Sequence, residues 1–508
     1  MNRLMEKIRA NRATSGYEAT RQQWTEGQVK AERLDLDTGP RLDLGFGPDG
    51  PNGGRVYHRM KLPAHVETTA QLAGLFPFQA GMGTGAAGAY IGPDRFTRGP
   101  FLYDPWRMYE AGVVTNLNLL LVGVIGTGKS SLLKTLCLRL GAYGVKWFVP
   151  ADTKGEMASL AKAVGAGHAA LGPGLDRALS PLYAPDKPEW MKAEEYRQQI
   201  YQHRMTLMKA LGETASGRPL TAWEDTLIDL ALREVTRDDS DRMRQPSLPD
   251  LVKVMLEPTE AMAAAVPVKL DDLKRGSIDL ALRFRSMLFG ALQGVFDGDP
   301  VPLQLDGPGF VIDISRIRKS DAAIALTMTC AQALGDLTLT FSKDRWLKVL
   351  DEFWRQAQYE AIVRRTSEGQ KLGRGDERTA SSATLIALHR ISDLMGTRPA
   401  VRELAMGLLA DTSTRILYNQ PTDQIPATAE ALQLTDVEAQ MLARLPKACG
   451  LWKIGTQSAM VDHLVLRGGK EWGLIQTDSR MRAEGGDSEF RQVVDAQGQM
   501  AREIGGVS

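Results

Sequence analysis

The sequence predicts an α/β fold built on a mostly parallel sheet, and three observations predict it. "NLNLLLVGV", starting at Asn116, is a continuous apolar run without alternation, as expected of a parallel strand covered on both faces. A glycine-rich turn follows, and then "SSLLKTLCLRLGAYG", which places Leu132, Leu133, Leu136 and Leu140 on one helical face and ends at a glycine. "VKWFVPAD", at Val145–Asp152, reads as a second strand, and strands alternating with helices mark a parallel sheet.

The remaining elements follow in order. Residues 1–37 are polar with helical character, and 38–54, dense in Gly, Pro and Asp, read as turns between short strands. The glycines of "GMGTGAAGAYIG" neither follow a strand nor open a helix, so they read as loop. Together, 1–115 form a small mixed N-terminal region and 116–185 the first part of the α/β core. Residues 186–300 are helix-periodic throughout, in "EWMKAEEYRQQIYQHRMTLMKAL", "TAWEDTLIDLALREVTR" and "DDLKRGSIDLALRFRSMLFGALQGVF", and predict a large helical insertion. The core resumes over 301–508, with strands at Gly309–Ile314, Trp346–Glu352, Ala383–His389 and Thr414–Asn419. Between the first two lies the apolar stretch Ala322–Gly335. It is shorter than the ~20 residues of a membrane span and reads as a buried core helix. No transmembrane segment is expected, so any contact with a membrane runs through a partner or a surface.

Composition narrows the function. Lys plus Arg total 62 against 61 Asp plus Glu, a net charge of +1, which argues against a constitutively basic nucleic-acid binder while leaving a local patch open. Three scattered cysteines, Cys137, Cys330 and Cys449, offer no disulfide framework and no metal-ligand spacing, and read as buried thiols of a cytoplasmic protein. The N-terminus has no apolar core and is not a secretory signal.

The chemistry concentrates in Gly123-Val-Ile-Gly-Thr-Gly128-Lys129-Ser130, which fits GxxxxGK[ST] without deviation. A loop wrapping a triphosphate must turn successive N–H groups inward, and glycines permit that backbone. Lys129 would reach the outer phosphates, Ser130 would ligate Mg²⁺, and the helix behind adds its positive end. The nucleotide contacts are therefore Gly123, Gly126, Thr127, Gly128, Lys129, Ser130 and Ser131. ATP and Mg²⁺ are the expected cofactors. Magnesium also needs a carboxylate from another strand end. Asp351 is the choice, because Glu352 beside it can polarise the attacking water. Asp313, followed by Ile314, offers no such base and reads as a turn residue. "DTKGE" at Asp152–Glu156 closes the next strand, where its charges can tune the nucleotide site or bind a neighbouring subunit. His389 leaves its strand at the same edge as a candidate phosphate sensor. Arg364, Arg365, Lys371, Arg374 and Arg378 read as a loop, either solvated or carrying an arginine finger into an adjacent subunit, with Arg364 and Arg365 as the catalytic candidates.

The order of the phosphate loop, "DTKGE", a helical insertion, "VIDIS", "VLDEFW", "HRISDL" and "LQLTDVEAQMLARLPKACGLWKIG" resembles the conjugative type IV secretion ATPases of the TraC and VirB-four type, most closely their actinobacterial versions, within the HerA–FtsK group of ring ATPases. The resemblance runs from "GAYIGPDRFTRGPFLYDPW" (Gly88–Trp106) to "TDSRM" (Thr477–Met481). It implies a RecA-like P-loop NTPase core, and a hexameric, peripheral ATPase at the cytoplasmic face of a membrane-embedded secretion channel. Such a motor would energise channel assembly or the transfer of DNA or protein. The family's residues matching Lys129 and Ser130 hold nucleotide and Mg²⁺, and those matching Asp351 and Glu352 support hydrolysis. The chain departs from the family where Leu388-His389 stands for a Thr-Gln pair, where Ser180-Pro181-Leu182 stands for "NPL", and where about 115 residues stand for a large N-terminal domain. A DNA translocase of the same group, or a nucleotide-switched scaffold with negligible turnover, are the alternatives. Near-zero net charge opposes the first and Glu352 beside Asp351 opposes the second.

Overall fold

The computed structural model describes residues 86–476, except 176, 238–244, 298, 301–306, 318–319, 356, 373–380 and 396–398. The expectations for 1–54, and those for Arg374 and Arg378, lie outside the described residues. Gly81, Gly83 and Gly85 of the glycine-rich stretch also lie outside the described residues, and its loop reading is corrected only at the end, where Gly92 stands in a strand. Strand β1 (Ala89–Pro93) pairs antiparallel with β2 (Pro100–Tyr103). Gly92 serves close approach, since a Cβ there would lie 1.7 Å from the Asp462 carbonyl oxygen. Helix α1 (Pro105–Glu110) follows, capped by Asp104, whose Oδ1 accepts from the backbone N–H of Trp106 at 2.9 Å.

The core begins with β3 (Leu119–Val122), all four residues buried, then α2 (Lys129–Gly141), β4 (Lys146–Asp152), α3 (Ala158–Val164) and β5 (Gly167–Ala170). Leu132, Leu133, Leu136 and Leu140 of α2 are all buried, as their spacing predicts. A two-residue strand, β6 (Arg177–Ala178), pairs in parallel with β7 (Asp299–Pro300). The chain between them makes a helical excursion: α4 (Ala193–Ser216), α5 (Ala222–Val235), α6 (Leu248–Leu256), α7 (Glu260–Ala265) and α8 (Leu270–Ser286).

After the excursion come β8 (Gly309–Asp313), α9 (Asp321–Thr340), β9 (Arg345–Leu350), α10 (Glu360–Leu372) and β10 (Ser381–Leu388). Then follow α11 (Ser392–Met395), α12 (Pro399–Ala410), β11 (Thr414–Leu417), α13 (Ile425–Leu432), α14 (Asp436–Leu442), β12 (Cys449–Ile454), β13 (Gln457–Asp462) and α15 (Lys470–Ile475). Helix α10 overturns the loop reading of the arginine-rich stretch as far as Leu372. Helix α9 has 20 residues, longer than the sequence suggested and long enough for a membrane, yet 89% of its most apolar window is buried inside the molecule. Its threonines fold their hydroxyls back onto the helix, Thr327 onto the Ala323 carbonyl at 2.8 Å and Thr329 onto that of Ala325 at 2.7 Å, so none needs an outside partner.

Nine strands form one sheet in the order β13-β12-β11-β3-β10-β9-β4-β8-β5. Pairing is parallel from β11 to β5, and antiparallel where β12 and β13 extend the edge. Strand β3 lies inside, between β10 and β11, so the loop leaving it opens at the carboxyl edge beside the ends of its neighbours. Apolar clusters cover both faces. One joins α9 and the helical excursion to β4 and β8, a second joins α2 and the β1–β2 hairpin to the sheet, and a third sets α12 against β10. All three cysteines are buried.

Candidate active site

The loop between β3 and α2 is shaped by glycines used in two ways. Gly126 (φ 84°) and Gly128 (φ 111°) take left-handed backbone, which side chains disfavour. Gly123 is needed for space, because a Cβ there would come within 2.7 Å of the Tyr418 Cβ and 2.9 Å of the Thr127 hydroxyl. The Thr127 hydroxyl donates to the Val124 carbonyl at 2.7 Å, and the Gly123 N–H donates to the Leu388 carbonyl at 3.2 Å, fastening the loop to the end of β10. Ser130 and Ser131 stand half-buried in the first turn of α2.

The loop is also braced from behind by the C-terminal segment. Ala448, itself left-handed at φ 61°, donates its N–H to the Thr127 carbonyl at 2.9 Å. Lower on α2, Arg139 forks onto the carboxylate of Glu471 at 2.7 and 2.9 Å, and the Thr135 hydroxyl meets Nε2 of His463 at 2.8 Å.

Lys129 is buried. Its ammonium donates to the carbonyls of Gly123 and Val124, the latter at 3.2 Å, and faces Nδ1 of His389 at 3.0 Å. Burial pulls its pKa down to about 8, against the upward pull of Asp351. A protonated lysine can only donate, so His389 Nδ1 accepts and the imidazole proton sits on Nε2. That nitrogen faces the Glu352 carboxylate at 3.2 Å. The lysine of the loop and the acidic couple of β9, far apart in sequence, are therefore joined through one histidine from β10.

Asp351 and Glu352 follow β9 directly. Burial raises the Asp351 pKa, helped by the neighbouring Glu352 charge and opposed by Lys154 and Lys129. Glu352 holds a left-handed backbone (φ 54°), a conformation costing a residue with a side chain roughly 1–2 kcal/mol. Its side chain is buried, with both oxygens partnered: Oε1 pairs with Lys154 at 2.8 Å, and Oε2 accepts from the indole Nε1 of Trp354 at 2.6 Å. Burial alone would raise its pKa, but the hydrogen bonds from His389, Lys154 and Trp354 overrule it and hold the carboxyl well below the usual range.

Of the residues expected at the site, the structure brings together Gly123, Gly126, Thr127, Gly128, Lys129, Ser130, Ser131, Asp351, Glu352 and His389. It does not add the two arginines. On α10 consecutive residues point about 100° apart. Arg364 faces outward and pairs with Glu360 one turn back, while Arg365 turns inward beside Asp336 and Cys330, its pKa lowered by burial. Only Arg364 is thus presented to the outside. Asp313 is a turn residue, its Oδ1 accepting the Ser315 N–H at 2.8 Å. The residue missed is Lys154. The signal was the charged "DTKGE" at the carboxyl edge, but nothing in the sequence says which acid its lysine meets.

The donor chemistry fits a magnesium-bound polyphosphate. The left-handed glycines leave open space where a Cβ on Gly126 would point, as a phosphate cradle requires. Ser130 and Asp351 supply the oxygen donors a hard divalent ion prefers. No group of three or more His, Cys, Asp or Glu among the described residues could hold a metal by itself, so such an ion would rely on phosphate oxygens as well.

No protein-family model and no curated protein matches the chain. Solved structures do. VirB4 of Thermoanaerobacter pseudethanolicus is 20% identical over 75% of this chain and 97% of that one, with a TM-score of 0.60. The plasmid coupling protein TrwB, bound to the non-hydrolysable ATP analogue ADPNP, is 15% identical over 83% of this chain and 97% of its own, with a TM-score of 0.48. The sulphate complex of the conjugative coupling protein TrwB, in its trigonal form, is 15% identical over 69% and 85% of the two chains, also at 0.48. The likeness to VirB4 shows the fold: a RecA-like P-loop NTPase core.

Proposed function

We propose that this chain is an ATP-hydrolysing motor of the conjugative type IV secretion kind, working as a homohexamer at the cytoplasmic face of a membrane-embedded channel and energising its assembly or the transfer of its DNA or protein cargo. The observation that carries this reading is the convergence at one sheet edge of Lys129 from the loop after β3, Glu352 from the end of β9 and His389 from the end of β10. The shared fold of VirB4 and the motifs that resemble the family's point the same way, and that resemblance supports the hexamer, the channel and the cytoplasmic location.

The geometry and the phosphate-loop motif support one division of labour. Loop N–H groups and Lys129 would grip the phosphates, and Ser130 and Asp351 would hold Mg²⁺, which would supply neutralisation of charge on the phosphoryl oxygens. Glu352 orients and polarises the attacking water. His389 reports to Glu352 whether Lys129 is engaged, because its Nδ1 accepts from the lysine while its Nε2–H donates to the glutamate. Of Arg364 and Arg365, the exposed Arg364 is the one available to reach a neighbouring subunit's site.

Lys129→Ala is expected to abolish phosphate release from ATP, and turnover at the wild-type rate in that variant would remove the assignment. If sites are shared between subunits, activity per chain rises with protein concentration. A dilute monomer turning over at the full rate would refute the shared site.

A further inference from the structure

We infer that Lys154 is a positioning residue for Glu352, holding from a separate strand the carboxylate that aligns the water. The inference rests on the ATPase reading above and adds to it a residue that the phosphate-loop and acidic motifs do not contain. Lys154 follows β4, and its ammonium lies 2.8 Å from Glu352 Oε1. The turn that presents it is stiff. Asp152 accepts from the Lys154 N–H at 3.2 Å with one oxygen and from the Met157 N–H at 2.7 Å with the other. Gly155 between them is left-handed (φ 69°) and closely backed, its Cβ direction meeting Ser315 Oγ at 3.4 Å and Asp313 Oδ2 at 3.5 Å.

Three partners hold one carboxylate, and they are not equivalent. Trp354 belongs to the same turn as Glu352 and moves with it. His389 is shared with Lys129, so its hold changes whenever that lysine shifts towards a phosphate. Lys154 alone ties Glu352 to a different strand without passing through the nucleotide grip. A carboxylate has about four lone-pair positions. Lysine, indole and imidazole take three of them, and the fourth is left for a water. Without the lysine, a side chain on a strained left-handed residue keeps one partner from its own turn and one that the nucleotide moves. It then loses its aim.

The test is Lys154→Met, which keeps the aliphatic stem and removes the charge, with Lys154→Arg as the conservative variant. For Met, kcat for ATP is expected to fall about 30- to 100-fold, the scale of loss when a reacting group is misplaced by an ångström. KM and the Kd of a fluorescent ATP analogue should stay within about threefold of wild type. Arginine should restore most of the rate. The Trp354 indole N–H resonance, assigned through Trp354→Phe, should shift in the Met variant even without nucleotide. An unchanged kcat in Lys154→Met overturns the inference. So does a Kd weakened more than tenfold at an unchanged kcat, which would make Lys154 a phosphate contact. Should a thermal melt show Lys154→Met unfolded, Lys154→Gln takes its place under the same criteria. If Lys129→Ala and Glu352→Gln are inactive while Lys154→Met matches wild type, only this inference falls. If Lys129→Ala hydrolyses ATP normally, the ATPase reading itself falls.

Discussion

Two glutamates of this protein are buried to nearly the same degree, 5% exposed for Glu352 and 7% for Glu224, and both are held well below the ordinary carboxylate range. Their circumstances differ completely. Glu224 sits in the first turn of α5 and is held by neighbours in sequence. Arg218 forks onto it at 2.8 and 2.9 Å, and the N–H of Thr221 donates to it at 2.8 Å, closing a reciprocal cap. These bonds bring its pKa down to about 2. Glu352 is pressed the other way by burial, sits on strained backbone, and is rescued by residues from β4 and β10. Partners close in sequence fasten a helix to its own beginning. Partners from separate strands hold a carboxylate where it would not otherwise rest, which is the arrangement that the catalytic role proposed for Glu352 calls for.

If that contrast is right, the two acids should fail in opposite assays. Glu352→Gln should lower ATP turnover on the order of a thousandfold, within the range general bases contribute. Glu224→Gln should leave phosphate release within about twofold of wild type, and equal losses in both would break the comparison. Next in size, Asp351→Asn should raise the magnesium concentration for half-maximal turnover by about tenfold or more, as losses of metal-supporting groups do. In urea unfolding, Glu224→Gln keeps the cap acceptor but loses the Arg218 pair, and should cost at most about 1 kcal/mol, the scale of a partly exposed ion pair.

A pH series sharpens the point. The folded pKa of Glu224 is about 2, below the roughly 4.3 of an unfolded glutamate, so its stabilisation is complete above pH ~4.3 and fades as the pH falls towards 2. The gap in urea midpoint between wild type and Glu224→Gln should therefore be widest near neutrality and shrink below pH 4. The smallest effect belongs to Asp313→Asn. It weakens one turn bond, to the Ser315 N–H, and should change stability by about 0.5 kcal/mol with no change in turnover.

The same distinction explains what could be read from the sequence. The phosphate loop, β3 and α2 are local patterns: a buried run, glycines at fixed spacing, leucines on one face. Asp351 and Glu352 were found because a strand-end acid pair has a stated purpose near such a loop, and His389 because it leaves a strand at the same edge. That the histidine would bridge the other two depends on β10 lying between β3 and β9, which no short window contains. Lys154 was visible as a charge and invisible as a partner for the same reason. Strand β5, four small or polar residues, has no strand-like composition, and β13 is a half-exposed edge whose side chains carry little apolar signal. Arg364 and Arg365 read alike in the sequence and part only once α10 turns one of them inward.

The bond from Ala448 to the Thr127 carbonyl, with the Arg139–Glu471 fork below it, makes the end of the described chain the back wall of the cradle near its middle. A cleavage or fusion placed around residue 447 would spare every residue of the glycine-rich loop and would still slacken its curl. Such damage would show first as weaker nucleotide capture in a molecule whose melting curve had scarcely moved.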